Sequence, residues 1–157
     1  TISFADAPSI NYFALYNVKS FKKLQIFIIV TQVAAMVCYI IFPNMQDLRP
    51  QEFARENFFT DIVGLLYTVD TNTNVCPSLH VAYSIGIASV WVKEKGISKW
   101  FKAFIVLFVV LICLSTVFIK QHSIIDAFAA IPVCILAEAI VYGKDYWLPR
   151  LKRAKNC

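Results

Sequence analysis

The segment VCPSLHVAYSIGIA, residues 75–88, places a proline, a serine and a histidine at the start of a long apolar run. A second segment, STVFIKQHSIID at residues 115–126, joins two apolar runs through a short polar turn. The chain has only two histidines, and each lies at the edge of an apolar segment. These two segments therefore carry the predictions of both the fold and the functional site.

The composition is too apolar for an ordinary soluble domain. Hydrophobic residues make up 59% of the chain and charged residues 16%, whereas soluble domains have roughly 45–50% and about 25%. Four apolar segments are predicted to be membrane-embedded helices, at about 21–42, 78–92, 101–119 and 123–142. Three of them approach the roughly 20 residues that cross a bilayer, and the second is shorter. A soluble four-helix bundle is the weaker alternative, because no segment has a wide polar face.

We therefore predict an all-α fold, a polytopic transmembrane helical bundle with four spans in a single domain over residues 1–157. The long segment between the first two spans also contains an apolar stretch at 58–69, for which we expect a short interfacial helix. Five scattered cysteines without a CxxC spacing indicate neither a disulfide framework nor a zinc site.

Basic residues predict the orientation of the bundle. Three precede the first span, four lie between the second and third spans, and five follow the fourth, which makes 12 of the 15. The positive-inside rule places these segments and the C-terminus in the cytoplasm, with residues 43–77 and 119–123 on the extracytoplasmic face. This topology explains the net charge of +5 through contact with anionic headgroups, so we infer no nucleic-acid partner.

The motif CPSLH is typical of the start of a helix. Pro77 suits the first turn, and the hydroxyl of Ser78 can cap it. The backbone N–H groups of such a helix end form a binding site for anions, and His80 lies in the same turn. The alternative for this motif alone is a capped helix whose histidine only anchors the chain at the membrane interface.

The motif KQHSIID pairs an imidazole with a carboxylate. His122 and Asp126 are four residues apart, so they share one face of a helix. A carboxylate there can accept the Nδ1–H of the imidazole and leave Nε2 as a nucleophile. A carboxylate this close to the hydrocarbon region is costly and is usually functional. The alternative is a structural histidine–aspartate pair that ties two helices together.

Two cations complete a site suited to phosphoryl transfer. Arg49 and Lys120 lie in the predicted extracytoplasmic segments, and their side chains can neutralise phosphate oxygens. We expect His80 and His122 to face each other across this phosphate. A metal site made of the two histidines and Asp126 is the weaker alternative, because neighbouring cations would repel a metal ion.

Together these residues resemble the motifs of the type-2 phosphatidic acid phosphatase superfamily, which are K-x6-RP, PSGH and SR-x5-H-x3-D. The resemblance covers roughly residues 40–130. The matching positions are Arg49-Pro50, Pro77-Ser78-Leu79-His80, and Ser115-Thr116 with His122 and Asp126. Three positions depart from the motifs, with Phe42 for the lysine, Leu79 for the glycine and Thr116 for the second arginine. This pattern is more similar to the branch that includes inositol phosphorylceramide synthases, and Lys120 would replace the missing arginine.

The resemblance implies a role for each residue. His122 would attack phosphorus to form a phosphohistidine, with Asp126 orienting it. His80 would protonate the leaving alkoxide and then deprotonate the incoming water or alcohol. The phosphate oxygens would be held by Arg49, Lys120 and Ser78. The resemblance implies no cofactor and no metal.

The resemblance further implies hydrolysis or transfer of the phosphate of a lipid phosphate at the outer leaflet of the membrane. Family members commonly have six spans, so we expect two N-terminal helices to be missing from this chain, with residues 4–18 a remnant of the second. The alternative function is a catalytically inactive scaffold or lipid-binding protein on the same fold. The identity of the lipid, the choice between hydrolase and transferase, and the formation of a homo-oligomer stay open.

Overall fold

The computed structural model describes residues 7–50, 53, 55, 57–69 and 73–155, and the described chain is almost entirely helical. Seven α-helices follow one another along it: α1 (Ala7–Tyr16), α2 (Val18–Ile41), α3 (Phe58–Val69), α4 (Leu79–Lys93), α5 (Lys99–Phe118), α6 (Ile124–Tyr142) and α7 (Leu148–Lys155). A π-helical turn at Gly143–Trp147 joins α6 to α7. Among these residues the only β-pairing is one isolated antiparallel bridge. The predicted all-α helical bundle is confirmed.

Three helical stretches are long and apolar enough to cross a membrane. They are Val18–Ile41, Lys99–Phe118 and the continuous stretch Ile124–Lys155. The second predicted span corresponds to α4, which has 15 residues and is therefore about 22 Å long. This is less than the roughly 30 Å of a hydrocarbon core. The four predicted spans are thus three long helices and one short, largely buried helix.

Hydrogen bonds at the helix ends define an antiparallel bundle. At one end, the Ser20 hydroxyl of α2 donates to Glu94 after α4, over 2.6 Å, and Lys102 of α5 donates to the carbonyl of the same residue. At the other end, the Tyr39 hydroxyl donates to the carbonyl of Pro77, over 2.8 Å. We call the first end the basic end, since it carries the start of α2, the α4–α5 turn and α7. We call the other the histidine end.

The centre of the bundle depends on a close approach of α2 to α4. Phe27 is 1% exposed, and a Cβ atom added to Gly86 would lie 2.7 Å from Cδ1 of its ring. A side chain larger than a hydrogen atom therefore does not fit at this position. Ala130 and Ala137 of α6 complete the same cluster.

The short helix α1 packs beside this core at the basic end, where the ring of Phe13 lies 4.6 Å from that of Trp91. It ends before Asn17, whose side chain accepts from the backbone N–H of Ser20 and caps α2. Of the predicted remnant helix 4–18, residues 4–6 lie outside the described residues. The expectation of two further N-terminal helices stays a prediction.

Candidate active site

The two histidines meet at the histidine end of the bundle. Nδ1 of His80 lies 3.3 Å from Nε2 of His122, and the ring planes are inclined at 57°. A phosphoryl group does not fit between nitrogen atoms at this hydrogen-bonding separation. The structure brings the two histidines together, whereas the expected space for a phosphate between the rings is absent in this structure.

The end of α5 fixes the position of His122. The backbone N–H groups of Gln121 and His122 both donate to the carbonyl of Thr116, over 3.1 and 3.2 Å. Lys120 lies two residues after the end of α5 and directly before Gln121. Its φ of 55° is positive, which is the conformation that commonly ends a helix. The Thr116 side chain is buried and donates to the carbonyl of Cys113. Thr116, which aligns with the second arginine of the lipid phosphatase motifs, is therefore part of the helix end.

Asp126 is held by hydrogen bonds that sequence analysis did not predict. Its Oδ2 atom accepts from the backbone N–H of Ser123 over 2.7 Å, and its own N–H donates to the Ser123 hydroxyl, so the two residues form a capping box. The Gln46 side chain donates to the same carboxylate oxygen. Nδ1 of His122 lies 3.9 Å from Oδ2, which is an ion-pair distance rather than a hydrogen bond. The carboxylate thus supplies negative charge beside the imidazole.

Ser78 connects the starts of α4 and α6. Its side chain is fully buried, and its hydroxyl accepts from the backbone N–H of Val81 as the cap of α4. Its own backbone N–H donates to the carbonyl of Asp126, over 3.1 Å. The capping role predicted for Ser78 is confirmed, and its contact with a phosphate stays a prediction.

Asn44 holds the loop that leads into α4. Its side-chain oxygen accepts from the N–H groups of Val75 and Cys76, over 2.7 and 3.0 Å, and its amide donates to the carbonyl of Cys76. Burial and the nearby Asp126 carboxylate raise the pKa of the Cys76 thiol to about 11. The thiol is therefore neutral at physiological pH.

Tyr67 of α3 contacts both the segment that carries Arg49 and the segment that carries Lys120. The guanidinium of Arg49 donates to the carbonyl of Tyr67 over 3.1 Å and lies 4.9 Å from the centre of its ring. The Tyr67 hydroxyl donates to the carbonyl of Ile119, directly before Lys120. Lys120 is exposed. The structure thus brings His80, His122, Asp126 and Ser78 together, and it holds the two cations on neighbouring segments.

A cavity of about 520 Å³ lies at the histidine end, between the end of α2 and the Cys76–Pro77 segment that leads into α4. Its walls are mostly apolar, and they include Cys38, Ile41, Phe42, Pro43 and Ala129. Within the part of the chain that the structure describes, no three His, Cys, Asp or Glu side chains are arranged to hold a metal ion. The histidine end of the bundle therefore holds two imidazoles, a carboxylate and an apolar cavity.

Comparison of the chain with protein-family models, with curated proteins and with solved structures gives no match. The resemblance to the lipid phosphatase motifs thus stays an expectation from the sequence. The assignment of function depends on the chemistry of the residues gathered at the histidine end.

Proposed function

We propose that this protein is an integral membrane enzyme that hydrolyses or transfers the phosphate of a lipid phosphate through a phosphohistidine on His122. One observation carries the proposal, namely the 3.3 Å contact between Nδ1 of His80 and Nε2 of His122. On its other side, His122 faces the Asp126 carboxylate. A nucleophile between a proton-transfer group and a carboxylate is the arrangement that activates catalytic side chains.

The reaction has two steps. In the first, the Nε2 lone pair of His122 attacks phosphorus, the bond from phosphorus to the lipid oxygen breaks, and His80 gives its proton to the leaving alkoxide. In the second, His80 takes a proton from water or an alcohol, whose oxygen attacks phosphorus and displaces Nε2. Water releases inorganic phosphate, and an alcohol gives a new phosphate ester. Asp126 stabilises the positive charge of the phosphorylated imidazole.

Substrate binding must separate the two rings, and His80 is the ring that we expect to move. It is half-buried on the first turn of α4. His122 is 6% exposed, and its backbone is bonded to the end of α5. In this proposal the phosphate replaces the direct contact between the rings, as expected for catalytic groups whose geometry is completed only in the substrate complex.

The phosphate oxygens are assigned to Lys120, Arg49 and Ser78. Lys120 is exposed two residues before the nucleophile, so its flexible side chain can turn toward a bound phosphate. Arg49 would exchange its contact with the Tyr67 carbonyl for a phosphate oxygen, with its planar fork engaging two oxygens.

A lipid is the substrate class that the surroundings favour. The cavity at the histidine end is mostly apolar and has about 520 Å³, which is within the range of binding pockets for small molecules. The neighbouring helices are long and apolar enough to lie in a bilayer. Because most cations lie at the opposite end, we assign the site to the extracytoplasmic leaflet and the C-terminus to the cytoplasm.

Release of inorganic phosphate tests this proposal. The full-length protein in detergent is given lipid phosphates in the presence of EDTA, as wild type, His122→Ala and the distant control Gln25→Ala. We expect metal-independent release that falls on the order of 10³-fold or more in His122→Ala and is unchanged in the control. Release that survives in His122→Ala would remove His122 from the mechanism, and release abolished by EDTA alone would favour a metal site. Adding diacylglycerol or inositol as acceptors separates a transferase from a hydrolase.

The second candidate is a catalytically inactive lipid-binding protein on the same fold. The observation in its favour is Thr116, which occupies the position of the family's arginine and is buried against its own helix. This candidate predicts no product with any donor and acceptor, together with binding of lipid phosphate that survives in His122→Ala.

A further inference from the structure

A long groove opens at the basic end, away from the histidines. It has a volume of about 800 Å³ and lies between α4 on one side and α6 with α7 on the other. Apolar side chains dominate its walls, among them Ile85, Val92, Ile135, Trp147, Leu148 and Leu151. The groove extends from the middle of α6 to α7, so an extended apolar chain lying along the bundle would fit its shape.

The polar groups in the groove neutralise one another. Nζ of Lys93 lies 2.5 Å from Oε1 of Glu138 and 4.3 Å from the centre of the Tyr142 ring. The other carboxylate oxygen accepts from the Ser89 hydroxyl over 2.7 Å, and Trp147 donates to the first over 2.8 Å. This closed network presents no net charge to a ligand, so the groove itself favours an apolar chain.

The mouth of the groove, by contrast, is strongly positive. Helix α7 contributes Leu148 and Leu151 to the wall, and its eight residues include four cations and no acid: Arg150, Lys152, Arg153 and Lys155. The Arg150 guanidinium lies 4.1 Å from the ring centre of Tyr146, which also lines the groove. Lys152 is four residues from Leu148 and therefore shares its helix face. The nearby acid Asp145 is paired with Lys23, over 3.0 Å.

We propose that this groove binds one acyl chain of an anionic phospholipid, with the lipid phosphate held by the cations of α7. An apolar channel that ends beside the four cations of α7 is complementary to an acyl chain that ends in a negative headgroup. Basic clusters beside transmembrane helices attract anionic lipids in this way. The site lies at the opposite end of the bundle from the histidines, so it is separate from the proposed substrate site and does not depend on that proposal.

Fluorescence of Trp147 provides the test. The full-length protein is placed in phosphatidylcholine nanodiscs that contain equal fractions of either brominated phosphatidylglycerol or brominated phosphatidylcholine. Bromine on an acyl chain quenches a nearby indole, and subtracting the Trp147→Phe signal isolates the contribution of Trp147. We expect brominated phosphatidylglycerol to quench Trp147 at several-fold lower mole fraction than brominated phosphatidylcholine.

Two kinds of variant separate the groove from its charge. Arg150→Gln with Lys152→Gln leaves the walls intact and should remove most of this several-fold preference, because each cation is worth about fivefold in attraction for an anionic lipid. Ala139→Phe, or Ala88→Phe if the first does not fold, fills the groove and should abolish the preferential quenching with all cations retained. Lys99→Gln removes an exposed cation at the same end and should change nothing.

Three results would overturn the proposal. Equal quenching by the two lipids would show that the groove does not select an anionic headgroup. Loss of selectivity in the charge variant but not in the filled variants would reduce the effect to attraction at the membrane surface. Absence of quenching by both lipids in a dimeric protein would show that a second copy of the chain covers the groove.

Discussion

Replacing Gly86 by alanine tests the close packing on which the bundle depends. The added Cβ would lie 2.7 and 2.9 Å from Cδ1 and Cε1 of Phe27, closer than the 3.4 Å at which ordinary contacts begin. Phe27 is 1% exposed, so its ring cannot turn away without displacing other core residues. Overpacking of this kind costs about 1–3 kcal/mol, while the better helix propensity of alanine returns up to about 1 kcal/mol.

Gly143→Ala is the matched control, because a Cβ atom there meets no atom within 4 Å and its backbone is helical. Both variants gain the helix propensity of alanine, so their difference isolates the overpacking. We expect Gly86→Ala to be less stable than Gly143→Ala by about 1–3 kcal/mol in the free energy of unfolding, measured by denaturant titration in detergent micelles. Equal stability of the two variants would refute the tight α2–α4 contact, whereas partial rescue by Phe27→Leu would support it.

Three further predictions concern the polar clusters. Gln46→Ala removes a donor to the Asp126 carboxylate and should lower kcat up to about 100-fold with little change in KM. An unchanged kcat would show that the hydrogen bond from Gln46 does not position Asp126. Lys93→Met leaves Glu138 without its ion-pair partner and should lower the free energy of unfolding by about 1–3 kcal/mol. Adding Glu138→Gln should recover part of this loss, and additive losses would argue against the pair. Because burial and the Asp126 carboxylate raise the pKa of Cys76 to about 11, its thiol is largely neutral at lower pH, and its alkylation rate should keep rising with pH up to about that value. A rate that levels off near pH 9 would contradict this environment.

The sequence predicted the helices well because their apolar segments are long and bounded by polar turns. The prediction for 58–69 coincides with α3 (Phe58–Val69). Placing both histidines at one end of the bundle predicted that they would be neighbours, but not their direct contact. The segment predicted at 78–92 matches α4 within one residue at each end, and its 15 residues fall short of the roughly 20 that cross a bilayer. Hydropathy alone cannot separate a short buried helix from a membrane span.

The hydrogen bonds that hold the site residues in place were not predictable from the spacing of residues along the sequence. Gln46 reaches Asp126 across 80 residues of sequence, and Tyr67 reaches Ile119 across 52. These hydrogen bonds depend on the path of the chain through residues 43–77. The pattern of apolar residues does not predict that path. The sequence also predicted the pairing of His122 with Asp126, but not that the capping box would hold the carboxylate 3.9 Å from the imidazole.

The central claim is that His122 carries the phosphate during turnover. It is tested most directly by mixing the full-length protein with an aryl phosphate or a lipid phosphate, quenching at alkaline pH, where phosphohistidine is stable, and locating the phosphate by peptide mass spectrometry. We expect the modification on His122 in the wild type and none in His122→Ala. His80→Ala should accumulate it with the aryl phosphate, whose leaving group needs no proton. A phosphoenzyme on another residue, or turnover without modification of His122 even in His80→Ala, would contradict the account.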